Sequence, residues 1–139
     1  MKGLIRNLAI AGLVLALVAT AAYAVFRPTS GGWRGESAQD LPITFRVNGS
    51  GTQIRKLKFH AKTRCPLGQA RFRVTFAGTA NIRGRRFVFH GEDVLSEAHV
   101  KGRFVGRRYA RGTLRWSTFE GSLGGICRSG LVAWKAKKN

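Results

Sequence analysis

The chain has 139 residues, and its 25 Lys and Arg against 6 Asp and Glu give a formal net charge of +19. That length accommodates one small hydrophobic core and leaves no room for a second domain of ordinary size. The charge bears on partners and solubility rather than on fold, and it excludes no fold class.

Residues 1–24 have the three parts of a secretory signal: Lys2 and Arg6, an apolar run from Leu8 to Val18, and Ala22-Tyr23-Ala24 as a small-x-small cleavage site. The alternative is an uncleaved anchor, because residues 8–26 carry no charge over 19 positions and a spanning helix needs about 20. In both readings the basic residues precede the apolar run, so the remainder is expected outside the cytoplasm. Removing Lys2 and Arg6 leaves 23 basic residues against 6 acidic ones, a net charge of +17.

Residues 25–39 contain Pro28, Ser30, Gly31, Gly32, Gly35 and Ser37, a composition that predicts an extended linker. Trp33 interrupts it and is expected to dock on the neighbouring domain, since a tryptophan offers a large apolar area to bury. From residue 40 to 139 the pattern has period two. Ile43, Phe45 and Val47 alternate with Thr44, Arg46 and Asn48 up to the turn Asn48-Gly49-Ser50-Gly51. Ile54 then falls out of phase with Leu57 and Phe59, and one extra residue near Arg55-Lys56, a β-bulge, would keep all three inward.

Cys65-Pro66-Leu67-Gly68 breaks the alternation, which resumes as Phe72, Val74 and Phe76 against Arg71, Arg73 and Thr75. Phe87 and Phe89 follow the Gly84 turn. Ala98, Val100, Gly102 and Phe104 then oppose His99, Lys101 and Arg103, and Ala110, Gly112, Leu114 and Trp116 oppose Arg111, Thr113 and Arg115. A last run places Val132 and Trp134 inward before a basic tail. About seven short strands with glycine-rich turns, and no helical periodicity after the leader, predict an all-β antiparallel sandwich or small barrel.

Cys65 and Cys127 are the only cysteines, and in an exported domain they are expected to form one disulfide. Neither stands in a C-x-x-C or beside a histidine, so neither redox catalysis nor a zinc site is expected of them. His90, Glu92, Asp93, Glu97 and His99 form the one dense group of metal-capable side chains. With no H-x-H, HExxH or EF-hand spacing they are read as a solvated turn, and no metal or cofactor is expected.

Catalytic signals are absent as well. There is no G-x-S-x-G, and Ser129 has no activating group nearby in sequence. A hydrolase using carboxylates between Glu92 and Glu97 is the remaining enzymatic alternative. The basic residues carry the physical signal: Arg46, Arg55, Lys58, Arg71, Arg73, Arg86, Lys101, Arg103, Arg111 and Arg115 occupy the polar phase of strands, and Arg83, Arg85, Arg107 and Arg108 occupy turns. Such a surface attracts anionic polymers and lipid headgroups. A nucleic acid fits the charge but not the expected compartment, and alternating charge by itself also serves as solvation and edge protection.

Gly32-Trp33-x-Gly35, Ile43-x-Phe45-x-Val47, Val100-x-Gly102-x-Phe104, Ala110-x-Gly112-Thr113-Leu114 and Gly125-x-Cys127-x-Ser129-Gly130 with Trp134-x-Ala136 resemble an uncharacterised small β-sandwich domain of secreted bacterial proteins. The resemblance spans roughly residues 32 to 136. It implies an antiparallel sandwich and the same cysteine pair, and it brings no activity, ligand or catalytic residue with it. The functional expectation is an exported, non-enzymatic domain contacting anionic envelope polymer or lipid. The alternative is a structural or protein-interaction module whose charge serves solubility.

Overall fold

The structure, a computed structural model, describes residues 26–139. The expected signal at 1–24, and all but the last residue of the alternative anchor, lie outside the described residues. The described chain is all-β: β1 (Gly31–Ser37), β2 (Pro42–Val47), β3 (Gln53–Cys65), β4 (Gly68–Thr75), β5 (Thr79–Asn81), β6 (Arg86–Glu92), β7 (Ser96–Phe104), β8 (Tyr109–Glu120), β9 (Gly125–Arg128) and β10 (Val132–Lys138), with one 3-10 turn at Gly121–Leu123. Every pairing is antiparallel.

Of the two architectures open to the sequence, the hydrogen bonding selects the barrel. The ladder runs β10-β1-β2-β3-β9-β8 and closes because β8 also pairs with β10. A closed ring leaves no edge strand within it. β4 and β5 extend the sheet from β3, while β7 and then β6 extend it from β8.

The alternation read from the sequence is the alternation that folds. Ile43, Phe45, Val47, Phe87, Phe89, Ala98, Val100, Phe104, Ala110, Leu114, Val132 and Trp134 all point into one cluster. Its centre is aromatic: Phe45 lies 5.6 Å from Trp33, 5.8 Å from Phe87 and 6.1 Å from Trp134, centroid to centroid. The predicted bulge is present. Between the pairs Thr44↔Lys58 and Arg46↔Arg55, β3 spends one more residue than β2, and Lys56 absorbs it at φ 54°. Ile54, Leu57 and Phe59 are all fully buried as a result.

Two expectations need correction. Part of the segment read as a linker, residues 25–39, is β1, held between β10 and β2, with Trp33 buried in the core and its indole N–H donated to Thr29 O at 2.9 Å. Its inward positions are Trp33, Gly35 and Ser37, so only one of the three has the bulk that makes alternation readable. Glycine is required at position 35, where a Cβ would run into the backbone of Lys135 and Ala136. Among the described residues there are also ten strands rather than about seven: besides β1, the sequence pattern misses β5 and β9, whose 3 and 4 residues are too few for a period-two pattern to register.

The disulfide Cys65–Cys127 is formed, with a Cα–Cα distance of 4.2 Å. It sits where the ring is thinnest, since β3 and β9 share one register pair, Arg64↔Arg128. The covalent bond therefore fastens the seam that hydrogen bonds secure least.

Candidate functional site

In an antiparallel sheet, residues directly opposite one another project from the same face, and neighbouring strands stand about 4.8 Å apart. Following the register outward across four strands gives Arg86↔Arg103, Arg103↔Arg111 and Arg111↔Lys135. All four side chains are exposed. Four cations thus stand side by side across β6, β7, β8 and β10, over about 14 Å, or three strand spacings. Glu36, opposite Lys135 on β1, ends the row.

The turns at the same end of these strands extend it. Arg83 bridges to Arg86, Arg85 O accepts the Phe104 N–H, and Arg107 and Arg108 occupy the β7–β8 turn. Arg107 and Arg108 are fastened through their carbonyls to Thr29 N and Lys138 N, which leaves both guanidinium groups exposed. The Arg85 guanidinium lies 4.6 Å over the Phe26 ring. Arg83, Arg85, Arg86, Arg103, Arg107, Arg108 and Arg111 therefore come together.

The other expected contact residues stand apart from this row. Arg46 faces Arg55 across β2 and β3, while Arg71 and Arg73 on β4 face Lys62 and His60 on β3. Arg71 Nη2 lies 3.3 Å from His60 Nδ1; burial, then Arg71 and Arg73, hold the His60 pKa below its ordinary value. Arg115 lies opposite His99 at the far end of β8. Among the described residues one ion pair forms, His90 to Glu92 at 3.5 Å, and no Lys or Arg is paired with a carboxylate.

Four of the five residues read as a solvated turn are on strands. His90 and Glu92 are on β6, Glu97 and His99 are on β7, and Asp93 alone is in the turn, where its Oδ1 accepts the Leu95 and Ser96 N–H groups at 2.8 and 2.7 Å. The register pairs His90 with His99, their ring centroids 4.7 Å apart. His99 also borders an open cleft of about 310 Å³ lined by Glu97, Arg115, Trp116 and Arg128. Desolvation, then His90, Lys101 and Arg115, lower the His99 pKa and so favour the neutral ring, against the opposing effect of Glu97, which raises it.

One surface had no signal in the alternation. Val94, Leu95, Phe119 and Ile126 are exposed together around a shallow groove at the β6–β7 turn. Phe119 and Ile126 face one another on β8 and β9, and Leu95 O accepts the Phe119 N–H. Arg103 and Leu95 are eight positions apart, so the apolar end lies roughly 27 Å along the strand direction from the cationic row. No protein-family profile matches the chain, and no curated protein or solved structure matches it.

Proposed function

We propose that this protein is an exported, non-enzymatic cationic domain that contacts anionic cell-envelope polymer or lipid through the Arg86-Arg103-Arg111-Lys135 row. The observation that carries the reading is the row itself: four adjacent exposed cations, directly opposed, with no carboxylate in salt-bridge contact. Like charges placed opposite one another in a sheet are destabilising, so an arrangement of this kind favours an external anion. One small anion cannot span about 14 Å, which favours a ligand with repeated charges. Arginine predominates in the row, and its planar fork suits phosphate and carboxylate groups. The leader pattern and the disulfide support an oxidising, exported setting.

The test is binding to phosphatidylglycerol-containing vesicles and to a soluble polyphosphate, with phosphatidylcholine vesicles as control, across a range of NaCl concentrations. Affinity for both anionic probes should fall steeply with salt. The triple variant Arg86→Gln, Arg103→Gln, Arg111→Gln should bind at least tenfold more weakly, and its log–log salt slope should be shallower by about one per contact removed. Binding that ignores salt, or a triple variant that binds as well as wild type, would falsify the reading.

A second reading, a protein-interaction module, is favoured by the apolar end around Val94, Leu95, Phe119 and Ile126. Under it the triple glutamine variant retains its protein partner and Phe119→Ser loses it.

A further inference from the structure

We propose that His90, Glu97 and His99 form a binding site for a zinc-class divalent cation on the outer face of the β6–β7 hairpin. One donor atom from each of the three lies within 4.8 Å of the other two. The register produces this arrangement. Glu97 and His99 are two apart on β7 and project from the same face, while His90 stands directly across from His99 on β6. Two imidazoles and one carboxylate are a zinc donor set, and three protein ligands leave a fourth tetrahedral position for water or another oxygen.

Ligands bonded at about 2.0–2.1 Å around a tetrahedral ion stand about 3.3 Å from one another, so side-chain rotation of an ångström or so closes the site without moving the strands. Two further observations support it. His99 Nδ1 is buried with no hydrogen-bond partner, so a nitrogen of this ring has unused coordinating capacity. Glu92 Oε2 lies 3.5 Å from His90 Nε2, where a second carboxylate can orient the His90 ring or supply a fourth oxygen. Glu92, Asp93 and Glu97, half of the chain's 6 acidic residues, all lie in this hairpin. They offset the repulsion that Arg115, opposite His99, and Lys101, two residues along β7, exert on a dication. The site is independent of the polyanion reading, since it uses none of the four cations in the row.

The test is calorimetric titration of the untagged full chain with Zn²⁺, paired with Co²⁺ as a spectroscopic probe. One ion per chain is expected, with the visible absorption of a four-coordinate Co²⁺ centre and Zn²⁺-induced shifts of the His90 and His99 ring ¹⁵N signals. His90→Gln and Glu97→Gln should each weaken binding at least tenfold, while Glu36→Gln on β1 should not change it. His90 and Glu97 are exposed, and amide correlation spectra of the variants establish that each is folded. Absence of Zn²⁺ binding by the wild type, binding by both variants at wild-type strength, or ring shifts confined to His60 would overturn the proposal.

Discussion

Gly112 shows how one position can determine whether this core closes. It lies opposite Trp134 on β10 and Gly102 on β7, and a Cβ at 112 would collide with the carbonyl of Lys101 and come within 2.8 Å of the Trp134 ring. A Cβ at Gly102 would strike Phe87 and Trp134 in the same way. The two glycines form the saddle in which the Trp134 indole lies, so their role is absence of volume. The indole N–H of Trp134 is buried without a partner, a cost of about 1–3 kcal/mol that the surrounding aromatic packing must offset. Gly112→Ala should therefore destabilise by about 3 kcal/mol in urea unfolding, the upper end of ordinary overpacking. Gly106→Ala, at a turn with open space around it, should stay within about 0.5 kcal/mol of wild type. Similar losses at both positions would mean that the saddle is not what position 112 provides.

At the scale of the strands, the proposed role of the arginine row sets stability against binding. Arg103 has Arg86 on one side and Arg111 on the other, so it has a like charge directly across from it on both neighbouring strands. Arg103→Glu turns two repulsive pairs into attractive ones and should raise stability by roughly 0.2–1 kcal/mol per pair at low salt, a gain that disappears at high salt. The same substitution should weaken anionic vesicle binding. Stability and affinity moving in opposite directions is the signature expected of a surface shaped by a ligand, and a loss of both would point to a structural role for Arg103. The outward phase of Arg86, Arg103 and Arg111 was legible in the sequence, because period-two alternation assigns a face to every residue of a strand. Their lateral alignment was not, because register depends on which strands meet and where. His90, Glu97 and His99 show the same limit: Glu97-x-His99 announces a shared face, but only the β6–β7 register brings His90 to it.

At the scale of the whole molecule, one covalent bond secures the closure of the ring. Six strands form a continuous hydrogen-bonded cycle, yet β3 and β9 contribute one register pair to it, beside the cysteines. The cysteines are 62 positions apart, and closing a loop of that length is worth about 4 kcal/mol in the chain-entropy description. The double variant Cys65→Ala, Cys127→Ala should lose stability of about that size. Amide exchange should accelerate first in β9 and the C-terminal end of β3, ahead of the aromatic centre. Under conditions where the variant remains folded, polyanion affinity should be unchanged, because the Arg86-Arg103-Arg111-Lys135 row lies on β6, β7, β10 and the end of β8 opposite the residues that pair with β9. Uniform acceleration of exchange would instead mean that the ring opens only with global unfolding.

The sequence by itself determined the all-β class, the inward set from Ile43 to Trp134, the bulge beside Lys56 and the outward phase of the basic residues. These are properties of a local repeat: side chains alternate along any strand, and burying the apolar half requires neither a known neighbour nor a known strand order. Only the tertiary structure decided that β1 is a strand in the ring, that the sheet closes as a barrel, and that four cations and one His-His-Glu group stand side by side. Each of these follows from pairing between segments distant in sequence, whose register is set by the core as a whole. Where inward residues are glycine and serine, as in β1, or where a strand has 3 or 4 residues, as in β5 and β9, the local pattern is too sparse to reveal the strand before its partners do.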